Sequence, residues 1–172
     1  MAELKRGIEI ERKYIIAMPD TSALAAMPGY GVSEIVQTYL ASSDAVTHRV
    51  RARSSAGNTK YYETVKTRID AMSAVEDEGE ITRGEYEDLI LKIAEGTAPV
   101  LKTRHIFRYG ERMIEIDVYP EWRNTAILEV ELPTRETVVE LPEFIKVIRE
   151  VTGIKRYSNA AMSRAFPPED NV

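Results

Sequence analysis

Polar and apolar positions alternate with period two along most of the chain, the pattern of strands that keep one face dry. In residues 8–16, Glu9, Glu11 and Lys13 take the odd positions, and Ile8, Ile10 and Tyr14 take even ones. The same alternation recurs at 35–41, 45–53, 59–67, 83–88, 100–109, 112–119 and 126–132. Ser54-Ser55-Ala56-Gly57-Asn58 and Tyr109-Gly110-Glu111 punctuate it at hairpin spacing. Helical patterns are fewer. A short helix is expected over 21–27 behind Asp20 or Thr21, and another over 88–95 ending at Gly96. A third is predicted over 142–152, from Pro142 along Phe144, Ile145, Val147, Ile148 and Val151 to a stop at Gly153. A last helix is expected over 158–165. The acidic stretch 70–79 shows no period and reads as a solvated loop, and 167–172 reads as a frayed tail. Without a linker, repeat or low-complexity block, residues 1–172 read as one domain.

The polar faces are narrower in chemistry than a solvated sheet requires. They carry ionisable residues in phase on nearly every strand. The acids are Glu9, Glu11, Glu85, Glu87, Glu115, Asp117, Glu129 and Glu131; the bases are Lys13, Arg49, Arg51, Arg53, Lys66, Lys102 and Arg104. One reading is an open sheet face with cross-strand ion pairs, each contributing well under ~1 kcal/mol. The other is the lining of a closed barrel with helices outside. Charges in such an interior are costly unless counter-ions or a ligand meet them. Carboxylates at i and i+2 suit a hard divalent cation such as Mg²⁺. Arg and Lys at the same spacing suit phosphoryl oxygens. Lining one cavity, the two sets suit a metal-chelated polyphosphate.

Composition trims the alternatives. The chain has 172 residues, 44% apolar and 30% charged, enough to fold around a core. It has no Cys, so disulfides, thiolate metal sites and Cys nucleophiles are excluded. No apolar run approaches the ~18 residues of a membrane span. The N-terminal MAELKRGIEIERKY lacks the apolar core of a signal peptide, so a cytoplasmic protein without membrane partners is expected. The net charge of −5 argues against a general nucleic-acid coat. His48 and His105 are too few for a His-rich metal site.

Glu9-Ile10-Glu11-Arg12-Lys13 is an ExExK motif. After it come Arg49-Val50-Arg51, Thr64-Val65-Lys66, Arg83-Gly84-Glu85-Tyr86-Glu87, Lys102-Thr103-Arg104, Ile114-Glu115-Ile116-Asp117-Val118, Glu129-Val130-Glu131 and Lys155-Arg156-Tyr157-Ser158-Asn159. In kind and order these resemble the CYTH superfamily, the triphosphate tunnel metalloenzymes, in its short single-domain bacterial form. The resemblance implies an α+β fold: an eight-stranded antiparallel β-barrel with a charged interior and helices packed outside. It implies a divalent-metal-dependent triphosphatase using Mg²⁺ or Mn²⁺, with metal carboxylates at Glu9, Glu11, Glu129 and Glu131 and a contribution from Asp117. It further implies phosphate contacts from Lys13, Arg49, Arg51, Lys66, Lys102, Arg104 and Lys155, and a tunnel-lining pair at Glu85 and Glu87. Tyr39 stands where short members place a tyrosine beside the motif lysine. Catalytic roles are expected for Lys13, Tyr39, Glu129 and Glu131.

Inorganic tripolyphosphate is the expected substrate. Thiamine triphosphate, ATP cyclisation as in class IV adenylyl cyclases, and non-catalytic binding of polyphosphate or nucleotide remain alternatives. For the cyclase, Tyr61, Tyr62, Phe107 and Trp122 are the candidates to seat a base. A homodimer is compatible with the sequence, and no feature demands one.

Overall fold

The computed structural model describes residues 3–43 and 45–171. Its strands are β1 (Lys5–Ala17), β2 (Gly31–Tyr39), β3 (Val46–Ser55), β4 (Asn58–Arg68), β5 (Ser73–Ile81), β6 (Val100–Tyr109), β7 (Arg112–Val118), β8 (Thr125–Glu131) and β9 (Val147–Glu150). The helices are α1 (Thr21–Ala25), α2 (Arg83–Ile90) and α3 (Asn159–Met162), with a 3-10 turn at Lys155–Tyr157. Eight strands run in the order β5-β4-β3-β2-β6-β7-β8-β1, all antiparallel, and a β1–β5 pairing closes the ring. The expected eight-stranded barrel is therefore the observed fold.

Long β1 makes the closure. Its first half, Lys5 to Ile10, pairs with β5, and its second half, Glu11 to Ala17, pairs with β8. After β5 leaves, β9 takes up the exposed edge at Tyr14–Ile16, so its amides do not stay open. Between the two partners, the loop after β9 meets the β4–β5 turn. Gly153 sits there at φ 72°, where an added Cβ would lie 2.7 Å from the Ala71 Cβ.

Seven of the eight segments expected as strands are strands. The eighth, 83–88, is instead helix α2, and the missing barrel strand lies in the stretch expected to be a loop. In β5, Glu76, Glu78 and Glu80 share one face, while Asp77 and Gly79 interrupt Val75 and Ile81 on the other. That dilution hides the period. Helix α2 is specified by a capping box: Glu85 N donates to Thr82 Oγ1 and Thr82 N donates to Glu85 Oε2. The helix expected over 142–152 is also corrected. Its β-branched Val147 and Ile148 extend as β9, because the open edge of β1 offers a ladder that an isolated helix cannot match.

Apolar side chains fall into three places. Ile16, Phe107, Ile114, Ile116, Leu128 and Val130 point outward under Leu24 of α1 and under Leu132 and Ile145 of the following chain. On the opposite wall, Val50, Leu40 and Ile81 pack beneath Tyr86, Leu89 and Ile90 of the α2 region. Inside, one end of the barrel is plugged by Ile15, Val100, Tyr119, Trp122, Ile127, Val151, Tyr157 and Met162. The tail expected to fray seals this plug. Trp122 Nε1 donates to the Pro167 carbonyl at 3.1 Å, Glu169 Oε1 accepts from Thr125 N at 2.8 Å, and Asp170 pairs with Arg149 at 2.6 Å. Val172 lies outside the described residues. No described helix is long and apolar enough to cross a membrane.

Candidate active site

The pleat turns the charged faces inward, and register sets opposite charges side by side. Lys13 lies across from Glu129, Lys66 across from Glu76, and Arg104 across from Asp117. Above the apolar plug they enclose a cavity of about 750 Å³, lined by acidic and basic side chains in equal number. Glu9, Glu11 and Lys13 come from β1, Tyr39 from β2, Arg49 and Arg51 from β3, and Lys66 from β4. Glu76 and Glu78 come from β5, Arg104 from β6, Glu115 from β7, and Glu129 and Glu131 from β8.

The charges are paired unevenly. Lys13 Nζ lies 2.7 Å from Glu129 Oε1 and donates to the Tyr157 carbonyl at 3.5 Å. Burial works against the Glu129 charge, but Lys13, Arg104 and Lys102 hold its carboxyl well below the usual range. Arg51 reaches both oxygens of Glu78, at 3.0 and 3.1 Å, and Thr64 Oγ1 donates to the same carboxylate. Burial, reinforced by Glu9 and Glu78 against Arg49 and Lys66, pushes Glu76 up to about 7. Glu131 differs from the others. Among the described residues its carboxylate has no ion pair or hydrogen bond. Burial, followed by Glu9 and Glu11, raises it above the ordinary carboxylate value.

Several expected site residues stand elsewhere. Glu85 and Glu87 do not line the tunnel: Glu85 caps α2, and Glu87 pairs with Arg83 on the outer surface at 2.7 Å. Glu76 and Glu78 take their place, with the same E-x-E spacing nine residues earlier. Lys102 and Asp117 share the inward faces of β6 and β7 with Arg104 and Glu115 but lie beneath the cavity lining. Their side chains are 0% and 1% exposed and 2.6 Å apart, and neither lines the cavity. Asp117 takes Arg104 Nε at 2.7 Å and Nη2 at 2.8 Å, so both its oxygens are spent on holding cations. Burial and Arg104 push the Lys102 ammonium down to about 8. The Tyr39 hydroxyl accepts from Gln37 Nε2 at 3.4 Å, whereas Lys13 turns to Glu129. Lys155 lines the cavity from the exposed 3-10 turn. Arg68, in phase with Lys66 at the end of β4, and Arg164, just beyond α3, also line the cavity.

Two features bear on what the tunnel holds. The Nε atoms of Arg49 and Arg51 are buried without a hydrogen-bond acceptor. An orphan N–H donor on a buried cation costs on the order of 1–3 kcal/mol, which anionic oxygens would recover. For a divalent cation, the donors Glu9, Glu11 and Glu131 are the hard oxygens that Mg²⁺ and Mn²⁺ accept, so the residue chemistry fits. Among the described residues these acids do not converge into a ready ligand cluster. Lys66 Nζ occupies the space beside Glu9, at 2.8 Å, and Glu11, at 3.7 Å.

Comparison with known proteins agrees with this architecture. Residues 7–166 match the CYTH domain model. An inorganic triphosphatase of Acetivibrio thermocellus is 33% identical over 156 residues, covering 90% of this chain and 92% of that protein. The solved structure of the inorganic triphosphatase NE1496 superposes with a TM-score of 0.58 at 27% identity, over 93% of this chain and 97% of that one. The PH1012 protein from Pyrococcus horikoshii shares the fold, with a TM-score of 0.56 at 21% identity over 74% of this chain and 81% of its own. Motif order, a closed eight-stranded ring and the match across residues 7–166 place the chain in the CYTH domain family.

Proposed function

We propose that the protein hydrolyses inorganic tripolyphosphate inside the barrel, with Mg²⁺ or Mn²⁺ as cofactor. The observation that carries this reading is the tunnel lining. Strand carboxylates line it from β7, β8, β1 and β5 and strand cations from β3, β4 and β6, with Lys13 of β1 among the acids; Arg49 and Arg51 keep unspent donors, and Tyr39 is the one aromatic side chain among the lining residues. The four aromatic candidates for seating a base are used otherwise. Tyr61 packs on Tyr86 outside the barrel at 4.8 Å between rings, Phe107 is in the outer core, and Trp122 belongs to the plug. The Arg51 guanidinium lies over Tyr62, 5.5 Å from the ring centroid, and Tyr62 does not line the cavity. A bare phosphate chain needs no aromatic seat; adenine and thiamine do. The 33% identical relative, named an inorganic triphosphatase, supports the same substrate class.

In this reading Arg49, Arg51 and Arg104 bind the phosphoryl oxygens, and Lys13 neutralises charge on the departing phosphate. Asp117 and Lys102 act at one remove, by fixing the Arg104 guanidinium from beneath. Glu9, Glu11 and Glu131 hold the cation, which when bound offsets phosphate charge and lowers the pKa of a coordinated water. Phosphoryl transfer depends mainly on such positioning and charge stabilisation. Of the two β8 carboxylates, Glu131 is better suited to hold the cation and place the attacking water. Its Oε atoms have no other partner among the described residues, whereas Glu129 is committed to Lys13 and Arg104.

The test is a phosphate-release screen over tripolyphosphate, ATP, thiamine triphosphate and pyrophosphate. Tripolyphosphate should give the highest kcat/KM, by about tenfold or more over ATP. Cyclic AMP formed from ATP and Mn²⁺ would favour the cyclase reading instead. Tight tripolyphosphate binding without turnover under any divalent cation would favour a binding module.

A further inference from the structure

Lys66 stands among carboxylates from two other strands. Its Nζ donates to Glu9 Oε2 at 2.8 Å and lies 3.7 Å from Glu11 Oε1 and 3.8 Å from Glu76 Oε2. Burial disfavours its charge, yet Glu11 and Glu9 more than offset that and raise its pKa. Glu131, which Glu9 and Glu11 also face, forms no ion pair among the described residues, and Lys66 is the one cation that acts on it at longer range. Glu9 and Glu11 are two of the three side chains assigned above to the divalent cation. An ammonium at 2.8 Å from Glu9 fills the space that a cation on the same oxygen requires. The four-carbon lysine stem can carry its charge from one anion to another, which a guanidinium held by a bidentate partner cannot do as freely.

We propose that Lys66 is a resident counter-cation: in the ligand-free tunnel it occupies the divalent-cation site, and phosphate oxygens must draw it away before the cation binds tightly. The inference rests on the reading of the tunnel as a metal-and-triphosphate site. It makes the two ligands mutually dependent. Triphosphate strengthens cation binding, and by linkage the cation strengthens triphosphate binding by the same factor. An ordinary structural ion pair predicts the opposite effect of removing Lys66, because the released carboxylates would lose their organising partner and hold a cation no better.

The test is Mn²⁺ binding to anion-free protein, by calorimetry and by the electron paramagnetic resonance of free Mn²⁺. Lys66→Met and Lys66→Gln should bind Mn²⁺ about tenfold more tightly than wild type or more, and Lys66→Arg should stay near wild type. Equal or weaker binding by both neutral variants, with wild-type binding intact, overturns the role of Lys66 alone. No Mn²⁺ binding by wild type or by any folded variant overturns the metal-site reading and the inference with it. If the neutral variants lose the near-ultraviolet signal of Trp122, the wild type decides through the Lys66 Cε resonance during Mg²⁺ titration. A shift that tracks Mg²⁺ saturation is expected; a resonance that stays put while Mg²⁺ saturates overturns the proposal.

Discussion

A charge inside a barrel is tolerated when something of opposite sign stands within reach, and here the reach is one or two strands. Arg51 on β3 is answered by Glu78 on β5 across Thr64, and Lys13 by its register partner Glu129. Glu78→Gln should therefore loosen Arg51 and lower kcat/KM for tripolyphosphate by about tenfold or more, while Glu87→Gln on the outer helix stays within about twofold. Initial-rate assays on the two purified variants separate these outcomes. Glu131→Gln should lower kcat at least about a hundredfold with a small change in KM, the signature of a group that acts on the attacking water. His105 offers a residue-scale test of stability. It is buried beside Tyr30, whose hydroxyl lies 3.0 Å from Nδ1, and burial lowers its pKa. The unfolded chain then takes up a proton first as pH falls below about 6.5, so stability is full above that value and declines beneath it. His105→Gln should flatten this decline in urea melts, and an unchanged slope would remove His105 as its cause. At this scale the ExExK run is legible because its acids alternate with Ile8 and Ile10 on the opposite face. Glu76 and Glu78 are not, because Asp77 and Gly79 blur the outer face of the same strand.

Among the elements, the strands were the easier half to read. Period two survives when one face is charged and the other apolar, as in β1, β7 and β8. The misread elements are those whose state is decided by a neighbour. Residues 147–150 carry an apolar stripe that satisfies a helix equally well, and only the free edge of β1 makes them β9. The Thr82-x-x-Glu85 capping box was present in the sequence, but in-phase Glu85 and Glu87 also fit a strand. The tail looked loose because its polar residues gave no sign of the partners waiting on Arg149 and at Asn124–Thr125. Truncation after Phe166 removes the Pro167 acceptor of Trp122 and the carboxylates of Glu169 and Asp170. It should cost about 2–4 kcal/mol of stability and change the Trp122 fluorescence maximum in the folded state. Gly153→Ala tests the junction of the β9 loop with the β4–β5 turn. Positive φ and a 2.7 Å approach to Ala71 should cost about 2 kcal/mol or more in a denaturant melt.

For the whole molecule, the net charge of −5 describes the outer surface and the tunnel together and conceals their difference. The cavity lining is balanced in number, while its acids and bases sit in separate groups around the ring. A polyanion chelated to a divalent cation matches that division; a nucleic acid, which presents only anionic charge, does not. The barrel's architecture follows from the same segregation. Closing the ring gathers groups that an open sheet would leave to solvent, and the apolar plug excludes water from one end. The most direct test of this account is steady-state phosphate release from tripolyphosphate by the wild type and by Glu9→Gln. Each is assayed after chelation and again after Mg²⁺ or Mn²⁺ is restored. Turnover should vanish with the chelator, return with the cation in the wild type, and remain at least about a hundredfold lower in folded Glu9→Gln. Wild-type rates that persist in the chelator, or a Glu9→Gln variant that matches wild type at saturating cation, would contradict it.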